Sequence, residues 1–74
     1  MKVQVTQADI DSGNHPIEEA IHREFRFKTI VDRKFIIFAQ NPTRPFRMPL
    51  SAELFNRNWH LGHSVKPFSF EIAG

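Results

Sequence analysis

An α+β fold, a small antiparallel sheet with two helices on one face in the order β-α-β-β-α-β, is what three features of this sequence predict. Apolar and polar residues alternate at both ends of the chain, through Val3 and Val5 and again through Phe68, Phe70 and Ile72, which is the period of a half-buried strand. Two stretches, 16–25 and 50–61, repeat their apolar residues at helical spacing, as a helix with one buried stripe requires. Between them, Phe27 to Gln40 reads as two short strands around a polar turn. Seventy-four residues make one domain, 1–74, and such elements bury their apolar sides by laying helices on a sheet.

The elements follow in order. After the first strand, Thr6 and Asp9 stand at capping-box spacing, so a short helical turn begins there and Gly13 ends it. Asn14 or His15 caps the next helix, Pro16 suits its first turn, and Glu18 and Glu19 complement the positive end of its dipole. Ile17, Ala20, Ile21 and Phe25 form its apolar stripe. In the hairpin, a three-residue loop at Asp32-Arg33-Lys34 pairs Val31 with Phe35, Thr29 with Ile37 and Phe27 with Ala39, and places these six on the core face. A two-residue turn at Arg33-Lys34 is the other register, and it sets Phe38 against Thr29. The three-residue loop is preferred because it keeps one face apolar throughout, although no glycine is present to ease it. Pro42, Pro45 and Pro49 then mark an ordered loop, with a short edge strand at Phe46 to Met48. In the second helix, Leu50, Leu54, Phe55, Trp59 and Leu61 are expected to face inward, with Glu53 and Arg57 paired outside. Gly62 ends it, and Phe68 to Ile72 is the last strand.

Composition and motif content argue against several function classes. There is no cysteine, hence no disulfide framework, which fits a reducing compartment. The N-terminus has no apolar core of a signal peptide, and the longest apolar run, Phe35 to Ala39, is far too short to span a membrane. A cytoplasmic protein with no membrane partner is expected. The histidines His15, His22, His60 and His63 lack the short spacings and the thiolates of structural zinc sites, and no metal or other cofactor is expected. The acidic residues are scattered through caps and turns, the serines lie in no nucleophile elbow, and no glycine-rich phosphate loop exists. The expectation is a protein that is not an enzyme.

Binding is the remaining class. In the preferred register the face of the hairpin turned away from the core carries Arg26, Lys28, Ile30, Ile36 and Phe38. These five are the candidate partner-binding residues, and a charge at Ile36 should then disturb binding more than folding. Two kinds of partner suit them: a protein, a second copy of this chain included, or single-stranded nucleic acid, whose bases stack on aromatic rings between cations. A net charge of only +2 weighs against the second. Alternatively, the 42–49 loop folds back and covers Ile30, Ile36 and Phe38.

Val3 to Gly13, Pro16 to Ile21 and Gly62 to Ile72 resemble stretches of a group of small bacteriophage-encoded proteins. In that group a Cys often precedes the helix-opening Pro. His15 holds the place here, so no role of that Cys carries over. The middle of the chain, Phe25 to Arg47, carries no resemblance. The likeness implies a phage or prophage source, hence the cytoplasm of a bacterial host, and no functional residues. Small accessory phage proteins commonly bind and block a host protein, which makes a host protein the expected partner.

Overall fold

The first strand, β1 (Lys2–Val5), finds its partner at the far end of the chain. It pairs antiparallel with β5 (Phe68–Glu71), Val3 opposite Phe70 and Val5 opposite Phe68, so both alternating segments turn their apolar side chains the same way. The structure is a computed structural model that describes residues 1–72. Between these strands come α1 (Gln7–Asp11), α2 (Pro16–Phe25), β2 (Thr29–Val31), β3 (Phe35–Phe38), β4 (Phe46–Arg47) and α3 (Leu50–His60). The class is α+β as expected, with α1 and the edge strand β4 as short additions to the order. The strands make two antiparallel sheets rather than one, β1-β5 and β2-β3-β4.

Helix α2 is the reason for the division. Its buried stripe, Ile17, Ala20 and Ile21, enters the core, while its polar side chains occupy the strand edges that a continuous sheet would have paired. The Glu18 carboxylate accepts from the Val31 N–H of β2 at 2.9 Å. On β1, the Gln4 N–H donates to Glu24 at 3.0 Å and the Gln4 carbonyl accepts from Arg23 at 3.0 Å. An unpaired strand edge needs such partners for its backbone groups, the more so where it is partly buried as at Val31, and here one helix supplies them to both sheets.

Arg23 also joins α2 to α1. Its Nε and Nη2 donate to the two oxygens of Asp9 at 3.1 and 3.0 Å, a bidentate geometry that guanidinium favours. Thr6 completes the capping box on that carboxylate with its N–H at 2.8 Å and its hydroxyl at 3.0 Å. Burial by itself would raise the Asp9 pKa, but the bonds from Arg23 and Thr6 outweigh it and hold the carboxyl below its ordinary range.

The hairpin takes the other register. Thr29 pairs with Phe38, Ile30 with Ile37 and Val31 with Ile36, and the Asp32 N–H donates to the Phe35 carbonyl across a two-residue turn at Arg33-Lys34. Ile36 therefore points into the core and is fully buried, beside Val31 and Thr29. Two contacts outside the hairpin fix this choice. Phe46 of β4 pairs with Ile36, and the Met48 N–H donates to the Lys34 carbonyl at 2.8 Å, which anchors Met48 in the core. Glu18 holds Val31 from the opposite edge.

Helix α3 is also rotated from the expectation. Ala52, Phe55 and Asn56 are buried and Trp59 half-buried, whereas Leu50, Leu54 and Leu61 lie on the solvent side. Phe55 stacks on Phe68 with ring centroids 4.5 Å apart, and Phe68 on Phe70, so α3 packs through aromatic contacts on the last strand. Glu53 pairs with Arg47 of β4 at 3.4 Å rather than with Arg57.

Replacing Asp9 with Ala should cost about 2–3 kcal/mol in urea unfolding. The loss stays below that of a wholly buried pair because Arg23, 44% exposed, can turn to water. Ile36→Glu should abolish the cooperative melt altogether, since it buries a charge with no partner.

Candidate functional site

Outward side chains of the β2-β3-β4 sheet form the first exposed apolar surface. With Ile30 opposite Ile37 and Phe35 opposite Arg47, these four share the face turned from the core, and the Ala39 N–H bonded to the Lys28 carbonyl extends the ladder by one pair. Ile30 is 64% exposed. The Arg47 guanidinium lies over the Phe35 ring, 5.7 Å from its centroid.

Of the five residues expected on that face, Lys28 and Ile30 are there. Ile36 and Phe38 are not: the two-residue turn shifts β3 by one position and sends both inward. Phe38 packs against the core and meets Phe27 edge to face, ring centroids 6.0 Å apart. Arg26 sits at the end of α2 in the left-handed conformation, φ 61°, and belongs to the cap rather than to the sheet. Phe35, Ile37 and Arg47 were not anticipated. Nor does the 42–49 segment cover the face: Phe46 and Met48 extend the sheet edge and fill the core beside Ile36.

The second surface is the outer side of α3, where Leu50, Leu54 and Leu61 are 67%, 45% and 59% exposed. A groove of about 820 Å³ separates α3 from the β2–β3 turn, with Asp32, Arg33 and Lys34 on one wall and Glu53, Arg57 and His60 on the other.

Beneath this groove lies the least expected polar contact of the fold. His15 caps α2 by accepting the Ile17 N–H on Nδ1 at 3.2 Å. That acceptor role fixes the tautomer, so Nε2 carries the proton and donates to Asn56 Oδ1 at 2.6 Å. Asn56 is only 2% exposed, and the bond explains how α3 tolerates an amide on its inner side. Trp59 and His60 pack on the His15 ring, centroids 4.8 and 5.6 Å away. Burial depresses the His15 pKa below its ordinary value near 6.5, against the opposing pull of Asn56 and Glu18. The sequence signalled the cap but not the partner, 41 residues distant.

Among the described residues no three His, Cys, Asp or Glu side chains are placed to hold a metal ion, and no helix is long and apolar enough to cross a membrane. Comparison with protein-family models, curated proteins and solved structures finds no match to this chain.

Because the folded-state pKa of His15 is depressed, the unfolded chain takes up the proton first. The stability that His15 contributes is complete above pH 6.5 and is lost as the pH falls through 6.5 toward the lower folded value. Protonation also removes the Nδ1 lone pair that caps α2. Thermal melts between pH 7.5 and 5 should therefore show a falling midpoint. His15→Asn, which keeps a capping side chain without a titrating ring, should flatten that dependence.

Proposed function

We propose that this chain is a phage-type accessory protein that acts without catalysis in the cytoplasm of a bacterial host. Its role is to bind a host protein and inhibit it. The main support is the outward face of the β2-β3-β4 sheet, where Ile30, Ile37 and Phe35 form an apolar centre flanked by Lys28 and Arg47. Apolar centres with a polar, cationic rim are the usual anatomy of protein-binding surfaces. The resemblance of both chain ends to bacteriophage proteins supports the choice of a host partner.

Single-stranded nucleic acid is the weaker reading. Stacking needs an open ring face, yet Phe38 is turned into the core and Arg47 lies over Phe35.

Ile30 provides the test, because its exposure lets it be changed without harm to the core. Tagged protein passed over bacterial lysate should retain a stoichiometric protein partner. Ile30→Glu should weaken that complex at least tenfold, as loss of a central contact of about 2 kcal/mol would, with an unchanged melting curve. Lack of a stoichiometric partner, or full retention by the variant, refutes the reading.

A further inference from the structure

The outer side of α3 carries a pattern that the core does not use, its leucines lying largely exposed among the described residues. Leu50, Leu54, Arg57 and Leu61 follow one another at intervals of four, three and four residues, the spacing of the seam by which one helix packs on another. Leu61 belongs to the seam because, as the C-terminal cap, it stays in the right-handed helical conformation and its N–H still bonds to the Arg57 carbonyl. The buried stripe, Ala52, Phe55, Asn56 and Trp59, occupies the opposite side. An ordinary surface helix carries polar residues where these leucines stand.

Charge along the same helix selects the occupant. Glu53 lies in its first turn, Arg57 and His60 in its last. We propose that the seam is occupied by α3 of a second copy of this chain, running antiparallel about a two-fold axis between residues 55 and 56. In that arrangement Leu50 meets the second copy's Leu61, and Leu54 meets the second copy's Arg57, whose aliphatic stem covers the leucine. Glu53 comes beside the second copy's Arg57 and His60, and the helix dipoles oppose each other. A parallel pair would set each charge against its like. The interface is isologous, so one patch satisfies both partners. It is small, and a dissociation constant on the order of ten micromolar is expected. Ile30 and the apolar centre of the sheet face take no part, and Arg47 touches the seam only through its ion pair with Glu53, so this inference stands apart from the host-protein reading.

Sedimentation equilibrium of the whole chain from about 1 to 500 µM tests it. A monomer–dimer equilibrium is expected, with the melting midpoint rising with concentration. Leu54→Arg, which faces the second copy's Arg57, should weaken the dimer at least tenfold with circular dichroism unchanged. Leu54→Glu should weaken it less, because the new carboxylate meets that same arginine. Ile30→Glu should leave the dimer intact. A monomer at every concentration, a dimer insensitive to Leu54→Arg, or equal losses from the arginine and glutamate variants would overturn the proposal.

Discussion

Strand edges that end against a helix cannot be completed by a neighbouring strand, and this constraint organises the molecule. β1 and β2 both present backbone groups to α2, which answers with Glu18, Arg23 and Glu24. Arg23 has the widest reach, bonding to Asp9 of α1 and to the Gln4 carbonyl of β1 at once. An ionised carboxylate as buried as Asp9 is tolerable only when paired and hydrogen-bonded, and the capping box presents it to the guanidinium already oriented. The turn between β1 and α2 thereby becomes a fixed corner rather than a loop.

The rotation of α3 follows from a second polar contact. Both of its sides are apolar enough to be buried, so hydrophobicity by itself leaves the choice open. Asn56 and His15 decide it: a buried amide needs a partner, and the imidazole that caps α2 offers one. Turning Leu50, Leu54 and Leu61 inward would break that bond and strand the cap's second nitrogen. The exposed leucines are thus the counterpart of a satisfied core amide.

Legibility in the sequence tracked how local the determining physics was. The capping box, the α2 stripe and both terminal strands rest on contacts within a few residues or on simple alternation, and all could be read directly. The hairpin register could not. Phe35-Ile36-Ile37-Phe38 is apolar at every position, so either face could have been the inner one, and no turn glycine marks the loop length. Contacts from Glu18, Phe46 and Met48 settle it, and all three residues are more than ten positions away from the turn in sequence. The same gap displaced Ile36 and Phe38 from the candidate surface. Lys28 and Ile30 stayed on it because the altered turn moves β3 by one position and leaves the alternation along 28–31 as expected, although β2 itself begins only at Thr29.

Growth by strand addition is governed by the edges that remain. β2 is closed by Glu18, β1 by Arg23 and Glu24, and β4 is only two residues long, hemmed in by Pro45 and Pro49. Prolines and very short edge strands are the usual means of preventing one sheet from templating another. Among the described residues, the outer side of β5 is then where an extended segment could add itself, and Pro67 limits even that at the strand's start. Closing most of its strand edges in this way leaves the exposed apolar surface to contacts made by side chains rather than by backbone.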